Sequence, residues 1–430
     1  MRMMTTLKFF FTLSITVCSC MTTSAAEPPN ILFIMSDDHT AQAVGAYATL
    51  LKDLNPTPNI DQLAAEGICF DNAFCTNAIC TPSRACIITG QYNHINGVFD
   101  LGGRIERDKQ TLPKLMRSAG YQTAMIGKWH LGHLEEFLPT SQGFDTYFGV
   151  PYSNDMTIDP SQPLANDVVL REGVTLENIK SRVKKNLVPL MRDSKIIEFP
   201  TDQNTLTKRY TEEAIAFIKK NKEKPFFVYL PHSMPHIPLY VPDDVRDPDP
   251  KNAYINTIEH IDTEVGRLLD VLDELKLTSK TYVIYTTDNG PWLPFKHHGG
   301  SAGPLREGKG TTFEGGQRVP CLIRGPGIPA GTVCSELAGT IDILPTIAAL
   351  TGKPLPAGKK VDGLDVSSLW MGKTKESPRK EFLHYTSRGD LQGIRQGSWK
   401  LLVKNQRGRR NQNRNAPTNS GQVLLFDLSK

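Results

Sequence analysis

Four short apolar runs punctuate the chain, at residues 31–35, 122–126, 226–230 and 282–286. Each is rich in β-branched or aromatic residues and too short for a stable helix, so the pattern predicts buried parallel strands. Between them, apolar positions recur at helical spacing. Residues 59–66 begin after Pro58 and stop at Gly67, and residues 112–118 end before Gly120. Residues 207–221 set Tyr210, Ala214, Phe217 and Ile218 on one face, and residues 255–275 make a longer helix of the same kind. Strands alternating with helices imply an α/β fold with a large, mostly parallel central sheet and helices on both faces.

Each run leads at once into polar residues. The first reaches Asp37, Asp38 and His39, the second Lys128 and His130, the third His232 and His236, and the fourth Asp288 and Asn289. In open α/β sheets, ligands bind beyond the carboxyl ends of the strands. Four strands that aim acids, an amide, histidines and a lysine at one edge therefore predict a site there.

After residue 345 the texture changes. Gly- and Pro-containing residues 352–363 read as a linker, followed by strand-like pieces at 382–385, 398–403 and 423–426. These predict a small C-terminal antiparallel sheet with a covering helix. Residues 404–415 carry Arg407, Arg409, Arg410 and Arg414 among Asn and Gln, a solvated hairpin loop or a patch for a polyanion. The expected organisation is a leader at 1–26, a catalytic domain at 27–352 and a small subdomain at 353–430.

Composition narrows the class. With 39% hydrophobic and 22% charged residues among 430, the chain has ample core, and a net charge of +4 marks no nucleic-acid binder. Arg2 and Lys8 precede an apolar run at 9–17, and Ser24-Ala25-Ala26 follows, the layout of a secretory signal peptide. A secreted or periplasmic protein is expected. Val17-Cys18-Ser19-Cys20 also resembles a bacterial lipobox, so lipid anchoring at Cys20 is the alternative. No later run reaches the ~18 apolar residues of a membrane span. Cys321 and Cys334 flank a Pro/Gly-rich turn and could bridge in an oxidising compartment. Cys69, Cys75, Cys80 and Cys86 lack the spacing of a zinc site.

The most informative stretch is Cys80-Thr81-Pro82-Ser83-Arg84. Pro82 suits a first helical turn, which sets Cys80 at a helix N-terminus, where backbone N–H groups lower a thiol's pKa. By itself this fits a phosphatase thiolate loop as well. Asp37, Asp38, Asp288 and Asn289 offer hard oxygen ligands, suited to Ca²⁺ or Mg²⁺. A strand-end Asp pair commonly caps a turn; with Asp288 and Asn289 aimed at the same edge, ligation is the better reading.

Cys80-Thr81-Pro82-Ser83-Arg84, with Thr89-Gly90-Gln91-Tyr92 beyond it, resembles the signature of the sulfatase family. These enzymes are arylsulfatase-like, formylglycine-dependent members of the alkaline phosphatase superfamily. Gly127-Lys128-Trp129-His130-Leu131-Gly132, Pro231-His232-Ser233-Met234-Pro235-His236, Thr287-Asp288-Asn289-Gly290-Pro291 and Gly308-Lys309-Gly310-Thr311 are similar to further family blocks, in order. The resemblance implies that Cys80 is converted to 3-oxoalanine (formylglycine) by a separate maturation enzyme. It implies a cation, usually calcium, on Asp37, Asp38, Asp288, Asn289 and the side chain at position 80. It further implies that Arg84 and Lys128 orient the aldehyde hydrate, that His130 is the base re-forming the aldehyde, and that His232 and Lys309 bind sulfate and assist departure of the alcohol. Ser153 matches a sulfate contact of the arylsulfatase branch. The implied reaction is hydrolysis of a sulfate monoester on a small molecule or polysaccharide. Secretion and the polar, basic surroundings favour a sulfated carbohydrate, and Trp292 suits a sugar platform. A phosphomonoesterase or phosphonate monoester hydrolase of the same superfold, and a non-catalytic sulfated-glycan binder, are the alternatives. Sulfatases usually continue past the strand that Leu425-Phe426-Asp427 resembles, so the small subdomain is expected to be short or truncated.

Overall fold

The computed structural model describes residues 27–49, 51–180, 187–358, 360–403 and 423–430. The segment at 1–26 read as a leader, with Cys18 and Cys20, and the basic stretch at 404–415 lie outside them. Among the described residues, one sheet has eleven strands. Its centre is parallel and runs, side by side, Thr281–Thr287, Asn30–Ser36, Phe226–Pro231, Gln122–Lys128 and Thr146–Val150. The four runs read as strands are the four adjacent strands of this centre.

Their continuous apolar character follows from burial on both faces. In the Asn30–Ser36 strand, Ile31, Phe33 and Met35 join one core while Leu32 and Ile34 join the other. Helices Leu206–Asn221 and Ala253–Glu274 cover the second face, contributing Tyr210, Ala214, Ile218, Ile261 and Val265. On the first lie Cys80–Thr89, Leu112–Ser118 and Ile343–Leu350, with Ile87, Met116 and Ile347 in the core.

Two sequence expectations change. Cys321 and Cys334 are free thiols. Strand Ile68–Phe70 runs between their strands, antiparallel to Cys321–Arg324 and parallel to Thr332–Cys334. Two inter-strand spacings of about 4.8 Å exceed what a disulfide bridges. The helix that meets the small sheet comes from outside the subdomain: Glu314 and Gln317 of Glu314–Gln317 bond Lys400 and His384. The helix after the linker, Ser367–Trp370, buries Leu369 and Trp370 in the large core instead. The small sheet, Glu381–Tyr385, Leu391–Gln396, Trp399–Leu402 and Leu424–Asp427, rests on the catalytic body through Phe382 and Tyr385 against Phe74, Tyr92 and Ile341. The polar Leu391–Gln396 strand was not legible as one.

Buried charge pins the sheet in place. Glu314 bonds Lys400 Nζ at 2.9 Å, Arg395 Nη1 at 3.2 Å and Arg318 Nη2 at 2.8 Å. Burial would raise the Glu314 carboxyl, and Lys400, Arg318 and Arg395 pull it below its usual range instead. Glu314→Gln leaves Arg395 and Lys400 buried without their carboxylate, a change that costs about 3–5 kcal/mol. Urea unfolding monitored by intrinsic fluorescence should show that loss, and a midpoint equal to wild type would refute the linkage.

Candidate active site

The carboxyl ends of the central strands and the start of helix Cys80–Thr89 meet in one buried pocket of charges. Cys80 is the first residue of that helix, Ser83 N–H donates to Ile79 O at 3.2 Å, and Gly90 ends it with φ 63°. Arg84, one turn on, is wholly buried. Its Nη2 donates to Asp37 at 2.7 Å, its Nε to Asp288 at 2.9 Å and its Nη1 to the Lys128 carbonyl at 2.6 Å.

Lys128 Nζ donates to Asp37 at 2.6 Å and to Ser153 Oγ at 3.2 Å. Lys309 Nζ reaches the Asp38 carboxylate at 2.8 Å, and Asn289 Nδ2 donates to Asp38 Oδ1 at 2.6 Å. Cys80 Sγ lies 3.7 Å from Asp37 Oδ1. Local backbone geometry makes these approaches possible. Gly127, with φ 130°, brings its strand so close that a Cβ would sit 2.0 Å from the Pro231 carbonyl oxygen. Asp38 and His130 adopt φ of 58° and 60°, a region costly for non-glycine residues and common at functional sites.

Carboxylate oxygens of Asp37, Asp38 and Asp288 all lie within 4.8 Å of one another. Burial would raise Asp37, but Lys128 and Arg84 hold it well below the usual carboxylate range. Asp38 is pushed up to about 7 by burial, with Asp37 and Asp288 adding to the rise and Lys309 opposing it. Asp288 is raised by burial and by Asp37. The donor set suits a hard cation, because oxygen atoms are crowded and the Asn289 Oδ1 atom is buried without a hydrogen-bond partner.

The histidines sort differently from the sequence expectation. His130 is buried with both ring nitrogens unpartnered, and burial, Lys128 and Arg84 keep it neutral, well below its ordinary pKa. His236 Nε2 stands 3.8 Å from Asp38 and falls in a cluster with Asp37 and Cys80. Its Nδ1 lies 2.6 Å from the Ile237 carbonyl, which can only accept, so Nδ1 carries the hydrogen and Nε2 faces the site with a lone pair. Burial and Lys309 keep His236 neutral as well. His232, expected beside the sulfate, is placed elsewhere. Its ring packs against Tyr210 at 6.3 Å, and its nearest titrating influence is His260. His232 N–H still bonds Met35 O at 2.7 Å, in step with the sheet, and the turn carries only the later residues across the strand ends, where Asp37 N–H donates to Met234 O. His39, one residue past Asp38, is held by Ser36 and Tyr285 and is structural.

The remaining expected residues, Cys80, Arg84, Lys128, His130, Ser153, Lys309, Asp37, Asp38, Asp288 and Asn289, converge here. Chemically, the pocket can bind a hard cation next to residue 80, hold a tetrahedral oxyanion on lysines, and exchange protons through two neutral imidazoles.

A protein-family model for sulfatases matches residues 29–353. The chain belongs to the sulfatase family. Arylsulfatase G of Mus musculus is 36% identical over 380 residues, covering 83% of this chain and 71% of that protein. N-acetylgalactosamine-6-sulfatase of Canis lupus familiaris is 33% identical over 374 residues, covering 81% and 67%. A solved Bacteroides thetaiotaomicron sulfatase of glycosaminoglycan metabolism superposes with a TM-score of 0.73 at 26% identity, covering 94% of each chain. This sulfatase is a sulfuric ester hydrolase, and among its described residues no helix is long and apolar enough to cross a membrane.

One expectation about the nucleophile is reversed. The helix N-terminus was read as lowering the Cys80 thiol, yet burial and the Asp37 carboxylate push it up, well above an ordinary cysteine, against Lys128 and Lys309. Unmodified Cys80 in the native, metal-free protein should therefore react with iodoacetamide at pH 8 at less than about a tenth of a free cysteine's rate. Peptide mass spectrometry over time reads this, and rapid alkylation would restore the thiolate reading.

Proposed function

We propose that this sulfatase hydrolyses sulfate monoesters of a sulfated carbohydrate to the alcohol and inorganic sulfate, using formylglycine made from Cys80 and a divalent cation, Ca²⁺ or Mg²⁺. The observation that carries the reading is the convergence of Asp37, Asp38, Asp288, Arg84, Lys128 and Lys309 on Cys80 in one buried pocket. N-acetylgalactosamine-6-sulfatase among the relatives supports the carbohydrate. The signal-like residues 1–26 support secretion, and maturation of Cys80 requires a separate enzyme in the host.

Asp37, Asp38, Asp288 and Asn289 would hold the cation, which supplies positive charge beside residue 80 and beside a sulfate oxygen. The aldehyde hydrate at residue 80 supplies two geminal hydroxyls, one to attack sulfur and one whose deprotonation releases sulfate. The rest is the work of this chain's own groups. Arg84 fixes the two carboxylates of Asp37 and Asp288 at their separation. Lys128, Ser153 and Lys309 orient the sulfate and stabilise the charge that grows on it. His236 and Lys309 serve the bridging oxygen: the His236 Nε2 lone pair takes up the proton of the attacking hydroxyl and passes it to that oxygen as it departs, with the Lys309 ammonium beside it; His236 takes the part the sequence assigned to His232. His130, neutral and with free ring nitrogens, accepts the proton lost from residue 80.

Cys80→Ala should abolish turnover, and the Cys80 peptide of active enzyme should weigh less than its thiol form; a full-mass thiol in active enzyme overturns the formylglycine reading. His236→Ala should lower kcat by about 10²–10⁴-fold, the range of general acid–base catalysis. The same change at His232 should leave the sulfate-binding and proton-transfer steps in place, and equal losses at both would refute this assignment. Removing the cation with a chelator should abolish activity, and adding Ca²⁺ at a hundredfold excess over its Kd should restore activity and add about 2.7 kcal/mol of stability. Matched aryl esters complete the test, since faster hydrolysis of the phosphate than of the sulfate ester would favour a phosphoryl enzyme.

A further inference from the structure

Directly after Asn289-Gly290-Pro291, the chain places an aromatic group against the charged pocket. The Trp292 ring carries the Lys309 ammonium 4.4 Å from its centroid. The His236 ring lies 5.4 Å away, tilted by 46°, and Phe295 makes edge contact at 4.7 Å. Residues 292–299 close on themselves. Trp292 N–H donates to Gly299 O at 3.0 Å, and Gly299 N–H donates to Lys296 O at 3.0 Å. Lys296, with φ 55° and ψ −126°, holds a conformation rarely seen outside glycine. Phe295, 43% exposed, stands at the outer edge of this loop.

A lysine is a point charge on a flexible stem, and its ammonium lies wherever its partners hold it. Lys309 has two partners in the structure, the Asp38 carboxylate and the face of Trp292. A cation drawing on Asp38 weakens the first and leaves the second, so the indole face sets where the ammonium meets a sulfate. Phe295, edge-on to Trp292 and exposed, carries aromatic surface from the buried Lys309 toward solvent. Sugar rings pack their C–H faces on such surfaces, whereas inorganic sulfate has nothing to reach them.

We propose that Trp292 is the positioning residue for Lys309, and that Phe295 is the wall against which the sugar ring of the departing alcohol packs. The wall rests on the carbohydrate-sulfate reading above; the positioning role does not.

The test measures inhibition by inorganic sulfate, with 4-nitrophenyl sulfate as the assayed ester, together with kcat and KM for N-acetylgalactosamine 6-sulfate. Trp292→Ala should weaken sulfate inhibition about fivefold or more and lower kcat, and Trp292→Phe, which keeps a π face, should recover most of both. Phe295→Ala should leave sulfate inhibition at the wild-type value and raise KM for the sugar about fivefold. Unchanged sulfate inhibition in Trp292→Ala, or no recovery in Trp292→Phe, overturns the positioning role. Unchanged sugar KM in Phe295→Ala overturns the wall. If wild type cleaves 4-nitrophenyl sulfate but not the sugar, the carbohydrate reading and the wall fall together, while the Trp292 comparison still decides the positioning role.

Discussion

The Arg84 guanidinium makes three bonds at once, to Asp37, to Asp288 and to the Lys128 carbonyl. It thereby joins the helix that begins at Cys80 to three of the central strands. A buried guanidinium is tolerable only where carboxylates compensate it, and each carboxylate needs the cation in turn. Lys128 shares Asp37 with it, and Lys309 serves Asp38. The charges of this pocket are stable as a group and costly singly, so the strands must stop in register for any of them to be buried.

The same compensation shapes reactivity. Burial, with the crowded carboxylates adding to it, raises Asp38 and Asp288 and holds the Cys80 thiol in its neutral form. An environment that disfavours a thiolate is the environment a divalent cation seeks. Burial and the surrounding lysines, joined by Arg84 at His130, also keep His130 and His236 neutral, with lone pairs available for proton transfer. One arrangement of charge thus sets both the ligand capacity and the proton inventory of the centre.

Away from the centre, the same economy fastens the small sheet. Glu314 gathers Arg318, Arg395 and Lys400, and Asp342 pairs with Arg379 behind it. Glu314 follows the Lys309 loop by a few residues, so the segment that delivers the lysine is anchored at its far end by the subdomain. Trp292, with Phe295 against its ring, meets that lysine.

Local sequence was enough to determine the central strands, because residues buried on both sheet faces leave uninterrupted apolar runs. It also determined the start of the helix at Cys80, because Pro82 suits a first helical turn. The gathering of the acids, Lys128 and His130 at one edge followed from strand polarity, while Lys309 was added by the family resemblance. Tertiary structure decided the rest. His232 and His236 trail the same strand, and only the path of the turn separates a histidine packed on Tyr210 from one facing Asp38. The direction of the Cys80 shift came from burial and from Asp37, far away in sequence, neither of which the local helix terminus reveals. Cys321 and Cys334 looked close along the chain, and a strand from elsewhere lies between them. In each case the deciding neighbour was distant in sequence, and periodicity carries no information about such neighbours.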